Sequence, residues 1–270
     1  MNFAKLHGAG NDFLLFDGRA EPALAAELPR LVPRLCHRRF GLGADGVLLL
    51  LPAGDASAAV VYWNADGSEA AFCANGTRCA ARFAAERWGW REMTLVTGYA
   101  AVPASVDGER VTLRLAAPTD LREWPKLDVA GSSVRAHYLV VGVPQLVVRV
   151  AWAEFWTHAL EPLAPALRGH PALGGDGANV NLVRPSGDEV WVRSWERGVE
   201  GETLSCGSGD VASALVALAE GWSAAPAAVR TASGRLLAVE PEGDPPACAC
   251  RLTGPAEWVA DGTVSPELVR

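Results

Sequence analysis

Two cysteines, Cys73 and Cys206, sit in matching phrases, one in each half of a 270-residue chain. Residues 73–81 read CANGTRCAA and residues 206–214 read CGSGDVASA, so each cysteine is followed by glycine at the third position, a small residue at the sixth and alanine at the eighth. Glu69 and Glu202 each stand four residues ahead of their cysteine. Both phrases read as helix starts. The free N–H groups and the dipole of a helix start favour anions, which lowers a thiol's pKa and cradles a carboxylate. Gly76, Gly207 and Gly209 let the backbone approach a ligand closely. A substrate α-carboxylate held between two such helix starts would have donors from both halves for the charge that spreads into it when the α-proton leaves. One thiolate would take the proton from one face of Cα and the opposite thiol would return one to the other face, so the centre inverts. A lone cysteine at a helix start is more often a small buried hydrophobe. That reading is kept for Cys36, Cys79, Cys248 and Cys250, and the matched second copy is what sets Cys73 and Cys206 apart.

Composition narrows the chemistry. Of the 24 basic residues only Lys5 and Lys126 are lysine. Pyridoxal phosphate needs a lysine for its Schiff base, yet Lys5 falls in the first predicted strand and Lys126 follows Trp-Pro in a connector. Chemistry at Cα is therefore expected to use no cofactor. No C-x-x-C pair exists, and the C-A-C at 248–250 lacks histidines at zinc-finger spacing, so no metal is expected. The net charge of −7 with no basic block argues against a nucleic-acid partner. The N-terminus has no charged region leading into an apolar run, and no stretch approaches the length of a membrane span, so no membrane partner and a cytoplasmic location are expected. The partner left is a small molecule.

With half its residues apolar, the chain can bury the cores of two domains. Many short strands and few helices make the expected class α+β. Strands are predicted at 3–6, 13–16, 47–51, 59–63, 94–96, 101–106 and 111–115, with helices at 22–39, interrupted by Pro29 and Pro33, and at 75–88. Residues 117–120 read as a crossover. The second half repeats the plan, with strands near 134–141, 145–150, 179–183, 189–195, 227–231, 235–240 and 248–252 and helices near 152–167 and 208–220. Residues 211–219 have almost no polar face, so that helix should be buried all round and aim its cysteine at the open end of its domain.

The segments HGAGNDF (7–13), GLGADG (41–46), NADGSE (64–69), CANGTRC (73–79), GANVN (177–181), ERGVEGET (196–203) and CGSG (206–209) resemble diaminopimelate epimerase in order and spacing over essentially the whole chain. The resemblance implies two pseudo-symmetric domains, 1–117 with 257–270 and 118–256, each a barrel-like mixed sheet wrapped around a central helix, with the active site in the interdomain cleft. It implies cofactor-independent interconversion of LL- and meso-diaminopimelate in lysine and cell-wall precursor synthesis. Carried over residue by residue, Cys73 and Cys206 are the base and acid pair, exchanging roles with direction. Ala74, Asn75, Gly207 and Ser208 would donate to the reacting carboxylate. Asn11, Asn64, Asn179, Glu196 and Arg197 would hold the amino groups and the distal carboxylate. Arg197 suits a carboxylate through two parallel bonds, and Glu196 could also tune a thiol. Read without the resemblance, Asn64 and Asn179 are turn residues and Glu196–Arg197 a surface pair of little worth.

The chain departs from the pattern at three places. Where the family commonly shows Gly-Asn-Pro-His or Gly-Val-Pro-His, this chain has Gly142-Val143-Pro144-Gln145. An asparagine contact is missing at Val143, and a histidine that would help set the thiol pKa values is replaced by Gln145, which hydrogen-bonds but cannot titrate. Asp210 stands where a small apolar residue is usual, and a carboxylate facing Cys206 would raise its pKa. These changes leave open a two-cysteine racemase of the same fold acting on another amino acid, such as histidine. A redox or binding protein with a regulatory Cys73–Cys206 disulfide is a reading from another class. A same-fold isomerase like those of phenazine synthesis would carry a carboxylate in place of the cysteine. Strand edges are compatible with a homodimer, although oligomeric state is not legible in the sequence.

Overall fold

The computed structural model describes every residue except 152–154, 156–159 and 176. The chain forms two compact units, Met1–Arg114 with Gly254–Arg270, and Leu115–Thr253. Their borders thus fall at Arg114–Leu115 and Thr253–Gly254, slightly ahead of the expected breaks after residues 117 and 256.

The first unit holds strands β1 (Asn2–Gly8), β2 (Asn11–Asp17), β3 (Gly46–Gly54), β4 (Ser57–Asn64), β5 (Glu69–Ala70), β6 (Glu92–Val96), β7 (Ala101–Asp107), β8 (Arg110–Leu115) and β18 (Glu257–Thr263). The strand order is β18-β1-β2-β3-β4-β6-β7-β8, with β2–β3 and β4–β6 parallel and the other neighbours antiparallel, and β5 pairs with the far end of β4. Helix α1 (Leu24–Cys36) precedes β3 and helix α2 (Ala74–Trp88) follows β5. Burial alternates strictly along β7, as one packed face of a sheet requires. Helix α2 touches β1, β2, β3, β4, β6 and β7, so the sheet curls around it.

The second unit repeats this topology. Its strands are β9 (Thr119–Val129), β10 (Ser132–Val141), β11 (Val143–Arg149), β12 (Asn179–Ser186), β13 (Glu189–Glu196), β14 (Gly201–Thr203), β15 (Ala227–Arg230), β16 (Leu236–Glu242) and β17 (Ala249–Pro255). They run in the order β9-β10-β11-β12-β13-β15-β16-β17, with β11–β12 and β13–β15 parallel and β14 at the end of β13. Helix α3 (Leu160–Arg168) precedes β12, and helix α4 (Gly207–Ala219) follows β14 and touches β10, β11, β12, β13, β15 and β16. Every parallel and antiparallel step matches the first unit, and the ladders set Trp63 opposite Glu69 as they set Trp195 opposite Glu202. The class is α+β, and each cysteine phrase opens the helix that its own sheet surrounds.

Some expectations change. Helix α1 is continuous through Pro29 and Pro33. Both prolines, and the Ala25 residue whose carbonyl loses its donor, lie on the solvent face. Water can replace those bonds while Leu24, Leu28, Leu31, Val32 and Leu35 bury the other face. The crossover expected at 117–120 leads straight into β9, which contains Trp124, Pro125 and Lys126, so Lys126 sits on a strand rather than in a connector. The helix expected near 152–167 falls partly outside the described residues, and its described part is α3. Helix α4 is buried from Gly207 to Ala217, as its lack of a polar face predicts. None of the helices among the described residues is long and apolar enough to cross a membrane.

Candidate active site

In the first unit Cys73 is the N-cap of α2. Its backbone is extended, and its sulfur accepts from the Gly76 N–H at 3.4 Å, taking up one of the donors that a helix start leaves free. Ala74 and Asn75 follow it and are buried. Asn11, first residue of β2, comes to the same point: its Oδ1 lies 3.6 Å from Cys73 Sγ and accepts from Asn75 Nδ2 at 3.4 Å. The orientation of the Asn11 amide is fixed from behind, because its Nδ2 donates to Asp45 Oδ2 at 2.8 Å and a carboxylate can only accept. Asp45 is itself held by Arg38, which bridges it to Asp12, and Lys5 completes the cluster. Burial alone would raise the Asp12 carboxyl, but Arg38 and Lys5 outweigh it and hold the group below its ordinary range. Asn64 ends β4 and donates to Ser68 Oγ at 3.0 Å.

In the second unit Cys206 caps α4 and is 5% exposed. Asn179 Nδ2 lies 3.6 Å from its sulfur, Ser208 Oγ 3.7 Å and Gln145 Nε2 4.0 Å. Asn179 Oδ1 accepts from the Arg197 N–H at 2.8 Å, so a backbone donor settles which end of that amide faces the thiol. Among the described residues the Arg197 guanidinium makes no ion pair. Glu196, at the end of β13, accepts from Thr203 Oγ1, and buried Asp210 accepts from Ser205 Oγ at 2.8 Å.

Burial, then the charges of Glu196 and Asp210, push the Cys206 thiol well above its ordinary pKa, while the Gly209 N–H and Ser208 act the other way. The expectation that a helix start lowers the thiol pKa is therefore overturned for Cys206. Loss of solvent and two carboxylates outweigh one turn of helix dipole. A test follows from the sign. The Asp210 charge penalises the thiolate, so Asp210→Asn should favour it. Cys206 should then alkylate faster at a fixed pH, and the acid limb of activity should move to lower pH. A slower reaction would show that Asp210 acts on this thiol in some other way. Cys36 and Cys250 are buried thiols pushed up to about 12, chiefly by desolvation, and buried Cys79 also lies far above its ordinary value. All three fit packing roles.

Four residues at these sites carry no role in the sequence reading: Asp45, Arg78, Asn181 and Ser194. Arg78 is fully buried in α2 and its Nη2 donates to Asn75 Oδ1 at 2.7 Å. Asn181 stands two residues after Asn179 and Ser194 two before Glu196, on adjacent strands where Asn181 is the ladder partner of Ser194. Period-two alternation puts Asn179, Asn181, Ser194 and Glu196 on one sheet face, and that is the signal for Asn181 and Ser194. A groove of the second unit, about 640 Å³ and lined by Arg135, Arg149, Arg184 and Trp222 among others, contains none of these residues.

Comparison with known proteins gives a consistent result. The family profile described as diaminopimelate epimerase matches residues 3–101 and 138–259. A diaminopimelate epimerase of Gemmatimonas aurantiaca is 39% identical over 249 residues, covering 90% of this chain and 88% of its own. One from Archaeoglobus fulgidus is 36% identical over 285 residues, covering 96% and 95%. Among solved structures, a phenazine biosynthesis protein of the PhzF family from Bacillus anthracis superposes with a TM-score of 0.72 at 14% identity, covering 97% of this chain and 98% of that one, which speaks to the fold alone. With a profile that spans most of both units and relatives 39% and 36% identical over most of the chain, the chain belongs to the diaminopimelate epimerase family and is an isomerase of the amino-acid epimerase class.

Proposed function

We propose that this chain interconverts LL- and meso-diaminopimelate without a cofactor, by proton transfer between Cys73 and Cys206 on opposite faces of Cα. The observation that carries the reading is the duplicated device: two topologically equivalent units, each placing a cysteine as N-cap of a sheet-wrapped helix. One thiolate abstracts the α-proton, and the C–H electron pair moves into the carboxylate. The backbone and side-chain donors of Ala74, Asn75, Gly207 and Ser208 receive that charge. The opposite thiol then gives its proton to the other face and is left as the thiolate, so protons and charge balance. Asn11, Asn64, Asn179, Glu196 and Arg197 are assigned to the amino groups and the distal carboxylate. The Arg197 guanidinium, which forms no ion pair among the described residues, suits a substrate with a second anionic end. On this reading the reaction belongs to lysine and cell-wall precursor synthesis.

Gln145 in place of a histidine, with Asp210 beside Cys206, supports a second reading in which the same thiols racemise another amino acid, such as histidine. Incubation in deuterium oxide with LL- and meso-diaminopimelate, histidine and a panel of other amino acids decides between them. Solvent deuterium should enter Cα of diaminopimelate together with inversion. Exchange into a different amino acid but not into diaminopimelate would replace the substrate and keep the two-thiol chemistry. Exchange into none would overturn both.

A further inference from the structure

We propose that Asn181 is a positioning residue that locks the Gln145 side chain with its NH2 group turned to Cys206, giving this thiol a surround of donors that cannot titrate. This deepens the reading of Cys206 as a reacting thiol and rests on it.

The orientation of Gln145 follows from one backbone group. The Leu146 carbonyl can only accept, and an amide nitrogen of Asn181 donates to it at 3.3 Å. That fixes the Asn181 end facing β11 as Nδ2. The second hydrogen of the same nitrogen goes to Gln145 Oε1 at 2.9 Å, which leaves Gln145 Nε2 on the other side. Nε2 then donates to Ser208 Oγ at 2.9 Å and lies 4.0 Å from Cys206 Sγ. Ser208 accepts that bond, so its own hydrogen is free for the sulfur 3.7 Å away. At the far end Ser194 Oγ donates to Asn181 Oδ1 at 2.7 Å, so both ends of the Asn181 amide are committed.

Packing adds to the lock. Gln145 and Asn181 are fully buried, and a Cβ placed on Gly209 would lie 2.1 Å from Asn181 Oδ1, so the first turn of α4 presses directly on this side chain. The first unit lacks the device. There the equivalent helix glycine, Gly76, rests on Phe13 and Leu48, and the amide beside Cys73 presents its oxygen. The charged groups that face Cys206 are Glu196 from β13 and Asp210 from α4, both of which oppose its thiolate. Against them stand the Gly209 N–H and Ser208, joined by the ordered amides of Gln145 and Asn179. A flipped Gln145 would turn a carbonyl oxygen toward the sulfur and draw the Ser208 hydrogen away from it.

The test reads the thiol without any substrate. The alkylation rate of Cys206 by iodoacetamide at pH 8, followed by mass spectrometry of the peptide that carries it, rises with the thiolate fraction. Asn181→Leu keeps the branched heavy-atom skeleton of the side chain and removes the anchor, so it should slow alkylation about tenfold, the scale of one lost hydrogen bond to a charged group. With Gln145→Met already present, the same change should alter the rate by less than roughly twofold, because the group that Asn181 orients is gone. Ser194→Ala removes one bond and almost no volume, and should slow alkylation in the same direction by less. It serves as the reading should Asn181→Leu not fold. Equal slowing by Asn181→Leu or Ser194→Ala in both backgrounds, or no slowing in either, would overturn the positioning role. Neither result depends on which amino acid exchanges deuterium, so the inference and the substrate assignment can fail separately.

Discussion

Replacing either Cys73 or Cys206 by serine should lower inversion at Cα by roughly three orders of magnitude, since serine is far too weak an acid to shuttle this proton and general acid–base catalysis contributes on that scale. The double replacement should cost little more than either single one. A two-base inversion needs both partners in the same turnover, so once one proton carrier is lost the other has almost nothing left to contribute. The measurement is deuterium incorporation with stereochemical analysis of the product, with thermal unfolding as a control for structure. Full inversion by Cys206→Ser would refute the paired-thiol chemistry. A regulatory disulfide would behave differently, with activity that follows the reductant concentration and survives one of the two replacements.

The thiol pair and its helices are legible in the sequence because they rest on local signals. Glycine at the third position, a small residue at the sixth and a run with almost no polar face identify α4 from the sequence. The duplicated sheets are legible nearly strand by strand, since short apolar runs end at glycine, asparagine and proline signals. Long β9 escapes because Trp124-Pro125-Lys126 carries proline into what turns out to be a strand, and proline argues against one in a reading of local sequence. Helix α1 is misread for the same reason. Its two prolines look like breaks, yet both face solvent while five aliphatic side chains hold the helix to the core.

Site chemistry divides along the same line. Which residue types surround Cys206 can be anticipated, whereas the net sign of its pKa shift cannot, since the helix start, the burial, Glu196 and Asp210 pull in different directions. Burial and the placement of a carboxylate from another strand are tertiary facts. Amide polarity is more hidden still. Asn11 and Asn179 read alike in sequence, yet Asp45 turns an oxygen toward Cys73 while the Arg197 N–H turns a nitrogen toward Cys206. The duplication therefore supplies two matched thiols, and the residues one layer behind them make their surroundings unlike.

That difference has a sharp consequence at the paired glycines, where the same substitution should have opposite outcomes in the two units. At Gly76 a Cβ would meet Phe13 and Leu48 at 3.4 Å, ordinary van der Waals contact, and alanine is the better helix former by about 1 kcal/mol. Gly76→Ala should leave thermal stability unchanged or slightly raised. At Gly209 the added carbon would lie 2.1 Å from Asn181 Oδ1 and 2.8 Å from its Cγ. A long flexible side chain could swing away, but Asn181 is short, fully buried and tied to Leu146, Gln145 and Ser194. Either α4 shifts, carrying Cys206 with it, or the amide network breaks and leaves buried polar atoms unpaired. Overpacking and lost hydrogen bonds together put the destabilisation of Gly209→Ala at about 2–4 kcal/mol. The expected fall in melting temperature is roughly 5–10 °C. Inversion should drop further than stability does, because a displacement of even about 1 Å in a reacting group can cost a factor of about 100 in rate. Scanning calorimetry and the deuterium assay on both alanine variants give the comparison directly. Equal behaviour at Gly76 and Gly209 would mean that Asn181 yields to the new methyl group, and the rigid floor beneath Cys206 would then have to be abandoned.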